Sequence, residues 1–311
     1  MRARVVVNAT ATRAHPPAVT AAVRELTAAM SADVTVTAYP GHATQLARDA
    51  HRNGFALVVV VGGDGTVNEV ANGLLAEEPD GGPTTRPALG VVPAGGMNVV
   101  GRTLGMPVHP VHAARELAAA VREGRRTVVN LGKLNDRYFV SGAGVGFGAE
   151  LMARVQEARR AGRSATWGRY LAEGARHFLR GTDRESPLLT VAPGEGSPAD
   201  RVFAALVANT SPYAYLGTWP LTPCPRASFH TDLEALALTD LSGPRCAALM
   251  TRMLLLPHRD HSGRSARRFT QQTTLSVTAS HAVALHVDGE PLPASRQAAF
   301  SSSPRALAVV A

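Results

Sequence analysis

Cysteine, lysine and long apolar runs are what this 311-residue chain has least of. Its two cysteines, Cys224 and Cys246, have no CxxC pair or histidine-rich spacing around them. That argues against a disulfide framework and a zinc site, and leaves reduced structural thiols. The longest uninterrupted apolar run, around Phe55 to Val61, falls far short of the roughly eighteen residues a membrane span needs. The N-terminal MRARVVVN has two arginines and then a short β-branched run, without the apolar region or small-residue cleavage site of a secretory signal. The expectation is a cytoplasmic protein, peripheral at most at the inner face of the membrane.

Lys133 is the only lysine, so the formal net charge of +8 and the pI near 10.4 rest on arginine. Such a balance invites polyanions such as nucleotide phosphates or an anionic membrane surface, but it fits an arginine-biased composition as well. Nucleic acid is not expected as a partner. One local cluster, 154-RVQEARRAGRSATWGRY-170, sets Arg154, Arg159, Arg160, Arg163 and Arg169 around Trp167 and Tyr170. It reads either as a solvated helical face or as a headgroup contact.

Strand and helix alternate through the first part of the chain. RARVVV (2–7) reads as a strand, 17–30 as an amphipathic helix, 33–39 as a strand and 43–54 as a helix closed by Gly54. The β-branched run 55-FALVVVV-61 suits a strand covered on both faces. A helix after the glycines and a strand at 89–93 continue the order, which predicts an α/β domain with a mainly parallel sheet over 1–127. Residues 293–311 are a candidate to complete it. From 128 to 292 short alternating strands take over, at 136–144, 188–193, 201–209, 233–239, 273–279 and 282–289. These predict a β-sandwich domain with helical insertions near 148–180 and 244–256. The stretches 79–87 and 193–198 read as surface loops.

The run 58-VVVVGGDGTVNEVANGLL-75 sets Gly62, Gly63 and Gly65 between a buried strand and a helix. There the backbone can approach phosphate oxygens and the helix start offers amides with a favourable dipole. It is not a P-loop, because GK[ST] is absent, and GxGxxG is absent too. GGDGTVNEVANGLL and 89-LGVVPAGGMNVVGRTLGMP-107, followed in order by 130-NLGKLNDRYFVSGAGVGFGAE-150 and 285-LHVDGEPL-292, resemble the diacylglycerol kinase catalytic family, which includes bacterial lipid kinases and sphingosine kinases. The more distant NAD kinases share only the GGDGT turn.

The resemblance implies an ATP- and Mg2+-dependent kinase acting on a hydroxyl of a lipid or lipid-like acceptor in a cleft between the domains. It implies a nucleotide site lined by Asn8, Thr10, Thr12, Thr37, Gly62, Gly63, Asp64, Gly65, Thr66, Asn68, Glu69, Gly95, Gly96 and Asn98. Asp64 reads either as a contact to metal or ribose or as a helix cap. Asp232, with the backbones of Phe229 and Glu234, matches the magnesium-associated segment. Asp288 and Glu290 match the catalytic acid pair, Glu290 being the base.

The pattern also departs from the family. Gly96 and Val99 stand where PxGTxND has a hydroxyl and a carboxylate, 8-NATAT-12 lacks the proline and glycine of the first loop, Gly148 replaces an Asp and Leu233 a Gly. In 209-NTSPYAYLGTWPLTP-223, Tyr213, Tyr215 and Trp219 replace a glycine-rich segment. A changed acceptor, such as a hydroxylated secondary metabolite, or a nucleotide-binding protein without turnover therefore stays open beside the lipid kinase. A homodimer is admitted and not required. The polar string 258-HRDH-261 reads as an exposed loop, and His230, His281 and His286 as packed or surface histidines.

Overall fold

The computed structural model describes residues 2–14, 16–76, 85–160, 188–194 and 200–311. It separates into two compact units, Met1–Leu131 with Pro304–Ala311, and Gly132–Ser303.

Unit 1 is built on parallel strands. β1 (Arg2–Val7) pairs with β2 (Ser31–Val36) on one side and β3 (Leu57–Gly62) on the other, and β3 pairs with β4 (Ala88–Pro93). The end of the last strand of the chain adds Val309 and Val310 beside Leu89 and Gly90, also parallel. Every residue of β3 and β4 is buried, as near-continuous Val and Leu runs demand when helices cover both faces. The helices are α1 (Ala9–Ala14), α2 (Pro16–Ala29), α3 (His42–Arg52), α4 (Asp64–Leu74), α5 (Val99–Thr103) and α6 (Pro110–Glu123). α2 packs on α6 and α3 on α4. Val19, Ala22 and Leu26 of α2 meet Ala113, Ala114 and Leu117 of α6 in one core with β1, β3 and β4. Strand order reverses at β1, so the ends of β1 and β3 flank the crevice where ligands of such sheets bind.

Unit 2 is antiparallel. β5 (Thr127–Leu134) runs into it and pairs with β6 (Arg137–Phe139). β7 (Gly142–Gly146), β10 (Ala204–Ala208), β13 (Leu233–Leu238) and β14 (Ala266–Gln272) lie side by side. β8 (Leu189–Pro193) and β9 (Asp200–Val202) form a pair, and β11 (Ala214–Leu216) with β12 (Trp219–Leu221) a small hairpin. The helices here are α7 (Phe147–Arg160) and α8 (Gly243–Leu255).

Residues 273–279 and 282–289 are one strand, β15 (Thr274–Val287), and not two. Its register slips between Thr278 and Val283. The first half pairs with β8 and the second with β7, so the sheet curls around a core where Phe139 and Phe300 meet edge to face at 6.4 Å. The fold class is as expected, α/β with a large mainly parallel sheet followed by further strands. The candidate strand at 305-RALAVVA-311 is present as the end of a much longer one: β16 runs from Glu290 to Val310. Pro291, Pro293 and Pro304 break the pattern that announces a strand, and Arg305, with φ 49°, bends it. Most of the arginine-rich segment 154–170 and of the loops 79–87 and 193–198 lies outside the described residues.

Candidate active site

Three turns at the C-terminal ends of parallel strands form the unit 1 site. After β1, Asn8 Oδ1 accepts the amides of Thr10 (2.8 Å) and Ala11 (3.3 Å), starting α1. Its Nδ2 donates to Thr66 Oγ1 at 2.7 Å. Thr37, buried at the end of β2, accepts the amide of Ala9 at 3.2 Å. The turn after β1 is thereby tied to the turn after β3.

The turn after β3 holds Gly62 to Glu69. Gly63 caps α4 with extended backbone and no side-chain acceptor, which leaves the first turn of the helix the kind of place where anions bind. A Cβ on Gly95, in the turn after β4, would sit 2.5 Å from Gly63 Cα. The two turns therefore touch backbone to backbone, and only glycine permits it. Asn98, itself left-handed at φ 51°, closes the third turn by accepting Gly95 N (2.8 Å) and donating to Gly95 O (2.9 Å). Gly96 is exposed, with open space where a side chain would be.

The motif side chains are engaged with the scaffold. Asp64 Oδ1 accepts the amide of Val100 at 3.0 Å, anchoring the start of α5. Glu69 accepts the amides of Gly41 (3.0 Å) and Ala43 (3.2 Å), capping α3 from a neighbouring helix. Asn68, fully buried, holds Asn72 at 2.9 and 3.2 Å. Of the two readings of Asp64, the structure shows helix capping, although the helix is α5 and not its own. Thr10 is exposed, and the Thr12 side chain lies outside the described residues. Val99 is buried, so a core side chain occupies the place where the family pattern has a carboxylate.

In unit 2, Val287-Asp288-Gly289-Glu290 is a two-residue hairpin turn. Asp288 (φ 47°) and Gly289 (φ 80°) have the positive φ that Asp-Gly tolerates best. The Asp288 carboxylate collects the amides of Val140 (2.8 Å), Ser141 (2.8 Å) and Gly142 (3.0 Å) and the Ser141 hydroxyl (2.7 Å). With Asp288 N donating to Gly142 O at 2.7 Å, this residue positions the turn. Glu290 is half-buried at the end of the turn. Beside it the Tyr213 hydroxyl donates to Ala143 O (3.2 Å) and is hydrogen-bonded to His286 Nε2 (3.0 Å). Both rings lie where a Cβ on Gly142 or Gly144 would be, so the glycines of β7 make room for them. Burial lowers the His286 imidazole to about 4. Burial first, and then the Asp288 charge, push the Tyr213 phenol well up, so both stay neutral. The sequence reading has the glycines and Tyr213 but not their pairing, which only β7 and β15 lying side by side creates.

Asp232 sits half-buried on a turn closed by Ser228 N donating to Thr231 Oγ1 at 3.1 Å. The Glu234 side chain is taken up by Arg268 in an ion pair at 2.7 Å, their side chains 1% and 4% exposed. The other Glu234 oxygen, Oε1, is buried without a hydrogen-bond partner. Among the described residues no three His, Cys, Asp or Glu gather as a metal cluster. One carboxylate with backbone carbonyls is still a donor set suited to Mg2+, which keeps most of its waters.

Residues 2–134 match the model of the diacylglycerol kinase catalytic domain. Over 120 residues the chain is 44% identical to a Chromohalobacter salexigens protein described as "probable lipid kinase YegS-like", covering 38% of this chain and 35% of that protein. Over 115 residues it is 38% identical to a diacylglycerol kinase of Bacillus subtilis, covering 37% and 35%. The matched part spans about a third of the length of these relatives. A solved structure of a diacylglycerol kinase from Bacillus anthracis shares the fold, with a TM-score of 0.75 over 99% of this chain and 96% of that one at 21% identity. The resemblance carried by the glycine turn and by 89-LGVVPAGGMNVVGRTLGMP-107 is borne out, and 285-LHVDGEPL-292 lies outside the matched residues.

Proposed function

From a chain whose residues 2–134 match the diacylglycerol kinase catalytic domain, we propose a kinase that transfers the γ-phosphate of ATP to a hydroxyl of a lipid or lipid-like acceptor. The observation that supports it most is the mutual engagement of three strand-end turns in unit 1. Asn8 with Thr66, Asp64 with the Val100 amide and Gly63 against Gly95 hold one another. That leaves backbone at the start of α4 to face phosphates. In this reading Gly62–Glu69, Asn8, Thr37, Gly95, Gly96 and Asn98 form the nucleotide end, with Thr10 and Thr12 beside it.

Asp232, with the backbones of Phe229 and Glu234, would hold Mg2+, which when bound would supply neutralisation of phosphate charge. Glu290 accepts the proton of the acceptor hydroxyl as that oxygen attacks the γ-phosphorus and ADP departs. Asp288 holds the hairpin that carries Glu290. No helix among the described residues is long and apolar enough to cross a membrane, and the acceptor is met at a surface or in solution.

A second reading keeps the donor and changes the acceptor to a hydroxylated secondary metabolite. Buried Val99 and the Tyr213 ring over β7 favour it. ADP release and product formation should be measured with Mg-ATP against diacylglycerols, sphingoid bases, polyketide alcohols and isoprenoid alcohols. Transfer to one of these, reduced about a hundredfold or more in Glu290→Gln with ATP binding retained, is the expected result. Undiminished transfer in that variant sinks the base assignment, and ATP binding without transfer to any acceptor makes the protein a non-catalytic nucleotide binder.

A further inference from the structure

The string 258-HRDH-261 corrects one expectation. His258, Arg259 and Asp260 are exposed, but His261 is only 1% exposed. Neither of its ring nitrogens has a hydrogen-bond partner. The Thr222 backbone is close enough to influence the ring without completing a bond of normal geometry. A buried imidazole without partners is costly in a finished core, and this one lines a cavity at the edge of the cluster that holds Leu249 and Ala266.

His261 lines a cavity of about 100 Å3 together with Arg245, Leu249, Arg252, Arg264 and Ala266. At about 30 Å3 per liquid water, that is room for a tetrahedral oxyanion. Three exposed arginines line it from two segments, Arg245 and Arg252 from α8 and Arg264 from the loop before β14. Among the described residues no carboxylate lines it. Arg245 is paired with Asp240. Arg252 donates to a neutral group, the Asp260 carbonyl, at 2.9 Å. Arg264 is exposed and makes no ion pair among the described residues. Asp260 is turned toward the Ser262 amide at 2.8 Å and Arg268 at 3.3 Å. Planar donors of one sign around an imidazole able to donate one more bond are the chemistry that recognises phosphate.

We propose that this cavity between α8 and the 261–266 loop binds a phosphate group, either a free phosphate or the phosphomonoester headgroup of an acidic lipid, with Arg252, Arg264 and His261 as its donors. The inference stands apart from the kinase reading, because none of these residues belongs to that site. Calorimetric titration of the full chain with sodium phosphate, against sodium chloride at equal ionic strength, tests it. Arg264→Ser changes an exposed side chain and should leave thermal unfolding in chloride unchanged. It should weaken phosphate at least tenfold, and Arg252→Gln should do the same.

Phosphate that binds no better than chloride, or binds both variants as it binds the wild type, overturns the proposal. The second outcome would also show that the phosphate titrated is held elsewhere, as at the nucleotide turn. Sedimentation with phosphatidylcholine vesicles, with and without phosphatidic acid, separates the two sources. Binding that requires phosphatidic acid and is lost in Arg264→Ser assigns the headgroup; phosphate binding without vesicle binding assigns a soluble ligand.

Discussion

The two motif turns hold their acids in opposite ways. In unit 1 the load is distributed: Asp64 takes one amide of α5, Glu69 takes two at the start of α3, Asn8 bridges to Thr66, and Gly63 rests on Gly95. In unit 2 it is concentrated, with one carboxylate, Asp288, taking four donors from Val140, Ser141 and Gly142. A distributed site tolerates the loss of any one tie and a concentrated one does not. Departures from the family pattern fall in both units: Gly96 and Val99 alter unit 1 within a network that persists, and in unit 2 those at Gly148, Tyr213 and Leu233 leave VDGE itself intact.

Removing the hub is the harshest test. Asp288→Ala orphans the amides of Val140, Ser141 and Gly142 in a half-buried turn, and should cost about 3 kcal/mol or more in urea unfolding, with phosphate transfer lost as Glu290 loses its support. A cost under about 1 kcal/mol would mean that the hairpin is held by its own turn geometry, and the contrast between the two turns would fail.

Acid should find the same weakness through His286. Folded, its imidazole is lowered to about 4 by burial, against an ordinary 6.5. Above 6.5 neither state binds the proton and this contribution to stability is complete. As pH falls from 6.5 toward 4 the unfolded chain takes the proton first, and stability drops, by about 2 kcal/mol at pH 5. His286→Gln should flatten that slope between pH 7 and pH 5 in thermal unfolding. His261, also lowered by burial, leaves a residual slope of the same sign. An unchanged pH dependence would show that the ring is solvated and plays no part in supporting the turn.

In unit 1 the most damaging single change should be Gly95→Ala. Its Cβ would lie 2.5 Å from Gly63 Cα, a backbone atom that cannot rotate away. The turns must part, at about 1–3 kcal/mol, and ATP should bind more weakly than this modest loss suggests. Retained affinity would detach the Gly63–Gly95 contact from nucleotide binding.

This contact also marks where sequence legibility ends. The alternation of strands and helices, the buried β3 and the glycine turn after it follow from periodicity and nearest neighbours, and they read correctly. That Gly63 needs Gly95, that Asp288 needs residues near 140, and that His261 is buried within a polar string all depend on segments brought together from far along the chain. The part of β16 before its 305–311 end was hidden for a different reason: its prolines lie where a strand can carry them, but they erase the alternation by which a strand is recognised.

Glu69 should show the smallest effect and draw the sharpest line between the two turns. It caps α3, whose own N-cap, Gly41, has φ 86° and no side chain to offer. Glu69→Gln keeps one acceptor oxygen but sets an NH2 group against an amide that must donate, so the α3 cap weakens by about 1 kcal/mol. Hydrogen exchange should accelerate at Gly41 and Ala43, the two amides Glu69 holds, while the rest of unit 1 keeps its protection. A global loss matching that of Asp288→Ala would mean that unit 1, too, hangs on a single carboxylate. A loss confined to α3 is what a distributed network predicts, since Thr44 Oγ1 still donates to the Glu69 carbonyl at 3.0 Å and keeps α3 beside α4 whatever the side chain does.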